Sequence, residues 1–258
     1  MEVTGLDGKV ALITGSSKGI GRATAITLAE AGADVVINHR DSAAEAETAR
    51  EAVESAGRRA IVVQADVGIP DDVERMFDTA LAEFGKIDIG IHNATYSRRE
   101  LAVELPFKDW KRALEVGLDG GFIVAQRTAR DLIRRGKPGS IVFVGSIQAV
   151  RNPARSSAYN TAKNGLRGLT YTLAIELAEH QIRVNLLEPG WIDTPGERKY
   201  ATEEELAEGG RRMPWGRMGR PEEMANAILF LVSDLGSYVS GETLRADAAT
   251  WLLGGEDI

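Results

Sequence analysis

The chain has 258 residues, 43% hydrophobic and 27% charged, and a formal net charge of −7; this suits a globular protein with a sizeable core and argues against a general nucleic-acid binder, which carries a basic excess. It contains no cysteine, and its three histidines (His39, His92, His180) show no metal-ligand spacing, so disulfides, thiolate chemistry and cysteine metal sites are excluded and no metal is expected. No apolar run reaches the length of a bilayer span, and Met1-Glu2-Val3-Thr4-Gly5 lacks the regions of a signal peptide, so a cytoplasmic protein without membrane contact is expected.

From the start, short apolar runs alternate with helical stretches. Strands are predicted at 10–13, 35–37, 61–63, 87–91, 141–144, 184–187 and 243–246, and helices near 20–32, 42–56, 71–84, 107–135, 156–180 and 221–234. The pattern predicts an α/β fold: a doubly wound, Rossmann-like parallel sheet of seven strands with helices on both faces. No linker, repeat or low-complexity tract divides residues 1–258, so one domain is expected. The irregular stretch 190–215, with Pro195, Gly196, Gly209, Gly210 and Pro214, reads as a substrate lid.

The first strand runs into Thr14-Gly15-Ser16-Ser17-Lys18-Gly19-Ile20-Gly21 and then a helix. Glycines there let backbone N–H groups approach a pyrophosphate, whose charge the helix N-terminus favours; an ordinary turn needing positive φ is the alternative. The second strand ends Asn38-His39-Arg40. An acid at that place suits the ribose 2′-OH of NAD, and a cation the 2′-phosphate of NADP. His39 stands where the acid would, Arg40 follows, and Lys18 faces the same phosphate, which favours NADP(H) over NAD(H); either cation alone also reads as surface charge. Asp41, before Ser42 and an Ala/Glu-rich run, reads as a helix N-cap.

Asp66 and Val67 follow the third strand and could hold an adenine, with a plain turn acid as the alternative for Asp66. Asn93 and Ala94 follow the fourth, on the cofactor side or as a clamp on neighbouring backbone, while His92 reads as a satisfied core histidine. Pro189, Gly190, Trp191, Ile192, Asp193 and Thr194 lead from the sixth strand into the lid. All lie at carboxyl ends of parallel strands, where open α/β sheets bind ligands.

Ser146 ends the apolar run before the loop that leads to Tyr159-Asn160-Thr161-Ala162-Lys163. Tyr and Lys four residues apart share a helix face, and an ammonium beside a phenol favours the phenolate. Lys163 is thus expected to tune Tyr159 as an acid–base group, with Ser146 as a substrate hydrogen-bond donor; a chance pairing on a surface helix is the alternative.

These motifs together resemble the short-chain dehydrogenase/reductase family over residues 9–251. The likeness rests on Thr14-Gly15-x-x-x-Gly19-Ile20-Gly21, Asp66-Val67, Asn93-Ala94, Ser146, Tyr159-x-x-x-Lys163 and Pro189-Gly190-x-x-x-Thr194, and Ser146 and Tyr159 stand at the family's usual interval. Gly216-Arg217-x-Gly219-Arg220-Pro221-Glu222-Glu223 and Tyr238-Val239-Ser240-Gly241-Glu242-Thr243-Leu244 make it most similar to glucose-dehydrogenase and 3-oxoacyl-reductase-like members.

The resemblance implies an oxidoreductase acting on a secondary alcohol or its carbonyl. Tyr159 would be the acid/base, Lys163 would hold the nicotinamide ribose, Ser146 would orient the substrate oxygen, and Ile192 with Thr194 would engage the carboxamide. It also implies a dimer or tetramer built on the helices near 107–135 and 156–180, where Leu166, Leu169, Leu173 and Leu177 suit an interface or an intramolecular core. Three positions depart from the family pattern: Gly117 stands where an active-site asparagine is common, Thr95 follows Asn93-Ala94, and Asp247-Ala248-Ala249 replaces Asp-Gly-Gly. A dinucleotide-binding protein with little catalysis is therefore one rival reading. Another is a carrier-binding surface at Arg127, Arg130, Arg134 and Arg135, a run that otherwise reads as a solvated helix face.

Overall fold

The computed structural model describes residues 5–253. Its strands are β1 (Val10–Ile13), β2 (Asp34–His39), β3 (Ala60–Gln64), β4 (Ile89–His92), β5 (Gly139–Val144), β6 (Ile182–Pro189) and β7 (Thr243–Ala246). They form one seven-stranded sheet in the order β3-β2-β1-β4-β5-β6-β7, with every neighbouring pair parallel. The helices are α1 (Gly19–Glu30), α2 (Ala43–Ser55), α3 (Pro70–Phe84), α4 (Phe107–Leu114), α5 (Gly120–Arg135), α6 (Gln148–Arg151), α7 (Ser157–Glu176), α8 (Glu203–Arg211) and α9 (Pro221–Val232).

Alternate residues of the central strands face opposite layers, which is why both sets are apolar. Ala11, Ile13, Val35 and Ile37 pack under α1, α2 and α9 through Leu28, Val53, Met224 and Ile228. Val10, Leu12 and Val36 pack under α3 and α5 through Phe77 and Val124. Further along, Ile141, Phe143, Val184 and Leu186 meet Leu132 and Leu166 of α5 and α7. The fold is thus doubly wound as expected, and strand order reverses between β1 and β4, which opens a crevice at their carboxyl ends.

Several elements differ from the sequence expectation. The helix over 107–135 is interrupted by a π-turn at Glu115–Asp119, which carries Gly117. The stretch 190–215 is not irregular throughout, because α8 forms within it behind a capping box in which Thr202 and Glu205 satisfy each other's backbone N–H groups. That pattern, Thr-x-x-Glu before acidic first-turn residues, was available as a helix-start signal. Ser42, not Asp41, occupies the N-cap position of α2, and the Asp41 carboxylate instead accepts from Arg40 at 2.7 Å.

The leucines of α7 are committed to the interior: Leu166 and Leu177 are buried, and Leu169 and Leu173 pack against the same cluster. The basic run on α5 is likewise largely occupied. Arg127 pairs with Glu74 and Asp78, Arg134 with Asp131, and Arg135 with Asp131 and Asp88. These pairings accord with the reading of the run as a helix face, and Arg130 on the same helix is exposed.

Candidate active site

Segments far apart in the chain fix the glycine turn. Gly15 and Gly19 take φ of 61° and 56°, the left-handed region that a side chain disfavours. The Ser16 hydroxyl donates to the Ile13 carbonyl at 2.7 Å and accepts the Asn38 N–H at 3.0 Å. The Asn38 amide oxygen accepts the Gly15 N–H at 3.0 Å. From the other side, the Asn93 side chain donates to the carbonyls of Thr14 and Gly15, each at 3.0 Å. Asn93 is therefore a clamp on the turn, and Asn38 is its counterpart from β2. Asn38 was missed because a polar residue ending a buried strand was its sole sequence signal.

Beyond the turn, α1 begins at Lys18 with no capping side chain and no acid in its first turn, so its leading N–H groups and positive dipole end are free for an anion. Ser17 is buried and Lys18 exposed, the latter 3.6 Å from Glu45. Ile20 packs on the core side of α1. A Cβ at Gly19 would lie 3.4 Å from the Thr194 methyl, which brings the segment after β6 over the turn. Pro189 ends β6, Gly190 is backed by Asp247, and Ile192 is buried in a bridge with Gly219.

At the end of β2, His39 is buried with its Nδ1 unpartnered, while Arg40 is half exposed and bound to Asp41. The Asp66 carboxylate is already engaged: it accepts from Arg112 at 2.6 Å and from the Gly68 N–H at 2.9 Å. Arg112 is a partner the sequence did not reveal. Val67 is buried beside Val116.

Ser146, buried after β5, accepts the Gln148 N–H at 3.1 Å, and its hydroxyl acts to lower the pKa of the Tyr159 phenol. Lys163 lies one turn beyond Tyr159 on α7, with its Nζ 5.6 Å from the tyrosine ring centre. That ammonium is buried and donates to the Val144 carbonyl at 2.7 Å. Burial raises the Tyr159 pKa above its ordinary value, against the lowering effect of the Ser146 hydrogen bond; Glu197 raises it and Arg99 lowers it to smaller degrees. Burial also pushes Lys163 down to about 8. The expected lowering of Tyr159 by Lys163 is therefore not the governing effect: Ser146 supplies the largest opposing interaction, and Lys163 faces the strand end.

The mouth of this site is polar. Arg99 stacks on the Tyr200 ring at 4.1 Å, and the Tyr200 hydroxyl donates to the Ser97 carbonyl at 2.8 Å. Glu197 accepts from the Trp191 indole at 3.0 Å and lies 3.4 Å from Arg99. The loop after β4 and the segment after β6 are thereby joined beside Tyr159. Met213 and Trp191 instead line a cavity of about 220 Å³ with Ile192 and Met224, and Trp215 at its edge is largely exposed. Arg151, between Ser146 and Tyr159, holds the carbonyls of Thr250 and Leu253. Among the described residues no group of three or more His, Asp or Glu could hold a metal ion, and no helix is long and apolar enough to cross a membrane.

Known proteins match this chain over nearly its whole length. The family described as enoyl-(acyl carrier protein) reductase matches residues 15–248. An L-rhamnose 1-dehydrogenase (NAD(P)(+)) of Sphingomonas sp. (strain SKA58) is 37% identical over 96% of this chain and 98% of that protein. A short-chain type dehydrogenase/reductase from Mycobacterium marinum superposes with a TM-score of 0.90 at 35% identity, covering 96% of this chain and 98% of that one. A short chain dehydrogenase from Burkholderia cenocepacia J2315, solved in complex with NADP, gives a TM-score of 0.87 at 33% identity over 95% of this chain and 98% of that one.

Proposed function

The chain belongs to the short-chain dehydrogenase/reductase family, and from that membership we propose that it is an NADP(H)-dependent oxidoreductase acting on a secondary alcohol or its carbonyl through Ser146, Tyr159 and Lys163. The observation that carries this reading is the Tyr159–Lys163 pair one helical turn apart on α7, the buried ammonium 5.6 Å from the tyrosine ring centre, with the buried Ser146 hydroxyl acting to lower the phenol's pKa.

The residues present fit a dinucleotide: α1 has no side-chain cap and no acid in its first turn, Gly15 and Gly19 hold the turn at positive φ, and His39 has an unpartnered ring nitrogen beside Arg40. Gly15, Ser17, Lys18, Gly19, Ile20 and Gly21 would hold the pyrophosphate, Val67 and Asp66 the adenine side, and Arg40 the 2′-phosphate. Asn93, Pro189, Gly190, Ile192 and Thr194 would bound the nicotinamide end, and Lys163 its ribose. The nicotinamide, when bound, supplies or accepts the hydride. Tyr159 gives its phenolic proton to the carbonyl oxygen in reduction and takes the alcohol proton in oxidation, while Ser146 orients that oxygen by hydrogen bonding.

The NADP preference rests on Arg40 and Lys18, whose ion pairs with Asp41 and Glu45 are solvent-exposed and hence cheap to exchange for a phosphate. Arg40→Ala is expected to weaken NADPH binding about 10- to 100-fold, the worth of a hydrogen bond to a charged group, and to leave NADH affinity within about twofold. Fluorescence titration of both cofactors, followed by oxidation of NADPH with a carbonyl panel, tests the assignment and turnover together. Equal weakening of both cofactors would assign Arg40 to surface charge, and binding without turnover of any carbonyl or alcohol would favour the rival cofactor-binding reading.

The raised Tyr159 pKa sets the direction of pH dependence. Through the neutral range the residue is a phenol, the form reduction needs, and the phenolate that oxidation needs grows with pH. Alcohol oxidation is expected to rise by about tenfold per pH unit between about pH 7 and 9, with a nearly flat reduction profile. In Ser146→Ala the rising limb should move to higher pH, since the bond that lowers the Tyr159 pKa is gone; an unmoved limb would count against Ser146 as the tuning group.

A homo-oligomer is also proposed. It is supported by exposed Phe107 and Phe122 on α4 and α5, and by exposed Tyr171, Ile175 and Tyr238 along a groove at the amino-terminal edge of the sheet.

A further inference from the structure

We propose that Arg151 is a positioning residue for this site: its guanidinium fastens α6, the short helix that begins at the Ser146 hydroxyl, to a strained turn over residues 247–253, and so sets where that hydroxyl stands. The inference rests on the Ser146–Tyr159–Lys163 reading above.

The helix is too short to hold its own position. It spans only Gln148–Arg151, fewer residues than an isolated helix needs for stability. The Ser146 hydroxyl accepts the Gln148 N–H at 3.1 Å, and the Ser146 carbonyl accepts the Ala149 N–H at 3.0 Å, so the hydroxyl goes where the helix goes. Three outside contacts fix that place. The Ile147 N–H donates to the Pro189 carbonyl at 3.1 Å, and the Asn164 amide of α7 donates to the Ala149 carbonyl. Arg151 supplies the third, donating to the Thr250 carbonyl at 2.6 Å and the Leu253 carbonyl at 2.5 Å. Both bonds are charge-assisted, and a planar guanidinium can serve two acceptors at once.

The turn that receives Arg151 is firmly built. Ala248 and Ala249 take φ of 51° and 65°, a region costly for a residue with a Cβ, and such strain persists only where the surroundings over-determine it. The Asp247 carboxylate accepts the N–H groups of Ala249 at 3.1 Å and Trp251 at 2.7 Å, and the Asp247 carbonyl accepts the Thr250 N–H at 3.0 Å and the Thr250 hydroxyl at 2.5 Å. The Arg245 guanidinium lies 4.3 Å from the Trp251 ring centre and pairs at 3.2 Å with Glu188. Glu188 is fully buried and also binds Arg167, one turn beyond Lys163 on α7.

These contacts close a circuit. Arg151 joins α6 to the turn, Trp251, Arg245 and Glu188 join the turn to β7 and β6, Arg167 joins β6 to α7, and Asn164 returns from α7 to α6. Ser146 stands on one arm of the circuit and the Tyr159–Lys163 pair on another. Arg151 is the link between the turn and the Ser146 arm.

Arg151→Gln removes the charge and the fork. Hydrogen exchange is expected to speed up about tenfold or more at 148–151 and at 250–253 together, because a local opening that the latch resists becomes easier. In the same variant kcat should fall about tenfold, as a small misplacement of reacting groups does, with NADPH affinity within about twofold and the rising limb of alcohol oxidation moved to higher pH, the direction expected for Ser146→Ala. Arg151→Lys, which keeps the charge and one bond, should recover kcat to within about threefold of wild type. A double-mutant cycle then shows whether Arg151 works through Ser146: in the Ser146→Ala background, Arg151→Gln should change kcat by less than about twofold and leave the limb in place, since effects that pass through one group do not add. A tenfold loss repeated in that background, or wild-type exchange at 148–151, would overturn the proposal. If Arg151→Gln does not fold, Arg151→Lys carries the same cycle and exchange measurement at smaller amplitude. Exchange needs no turnover, so it decides the latch even where the oxidoreductase reading itself fails.

Discussion

Tyr159→Phe should fold, bind NADPH with affinity within about threefold of wild type, and lose about 10³-fold in kcat, within the range that general acid–base groups supply. The substitution preserves the ring and deletes the hydroxyl whose pKa Ser146 lowers. Lys163 keeps its bond to the Val144 carbonyl, which does not involve the tyrosine, so the cofactor side is expected to remain built. Steady-state kinetics on a substrate found in the carbonyl panel, paired with fluorescence titration, provide the two readouts. Turnover within about threefold of wild type would remove Tyr159 from the chemistry and return the Tyr–Lys spacing to chance.

Gly21→Ala is the second large effect, and it concerns binding. A Cβ at Gly21 would lie 2.5 Å from the Gly15 carbonyl oxygen, 2.6 Å from the Asn93 amide nitrogen and 2.8 Å from Ser16 Cα. Two of these are backbone atoms of the turn itself, and the third belongs to its clamp, so the turn or α1 must shift. A stability loss of about 1–3 kcal/mol is expected from such overpacking. Nucleotide affinity should fall about 100-fold or more, because backbone donors in the turn lose their alignment. Gly168→Ala is the control: a Cβ there meets nothing within 4 Å, and in a helix interior the same change stabilises by roughly 0.5–1 kcal/mol. Opposite signs in thermal denaturation would separate steric demand at the turn from the general effect of replacing glycine. Unchanged NADPH binding in Gly21→Ala would show that this crevice is not the nucleotide site.

The two substitutions differ in how far the sequence alone supports them. The Tyr159–Lys163 pair and the Gly15–Gly21 turn are each written within a few adjacent residues, and helical spacing or turn chemistry converts them directly into geometry. The same holds for α8, whose Thr202–Glu205 capping box is a local signal outweighed in the reading by Gly209 and Gly210. Arg40 shows the limit of such locality. Its place at the end of β2 was legible, but its present partner is its neighbour Asp41, and adjacency does not tell a phosphate ligand from a surface pair. Asp66 shows another limit, since its occupant, Arg112, comes from a helix 46 residues on.

By itself, the sequence determined the alternation of strands and helices, the glycine turn on β1 and the presence of a phenol, an ammonium and a hydroxyl on elements expected at one edge of the sheet. Each follows from interactions among close neighbours: side-chain period, capping and the conformational freedom of glycine. Only the tertiary structure decided the π-turn at Gly117, the commitment of the α7 leucines to the core, the part burial plays in raising the Tyr159 pKa, and the meeting of Thr14 with His92. These depend on which distant elements become neighbours. The order β3-β2-β1-β4-β5-β6-β7 brings β4 beside β1, so that Thr14 meets His92 across 78 residues. In that dry interior each polar group must find its partner on a separate strand or helix, a constraint that exists only after the sheet has closed over them.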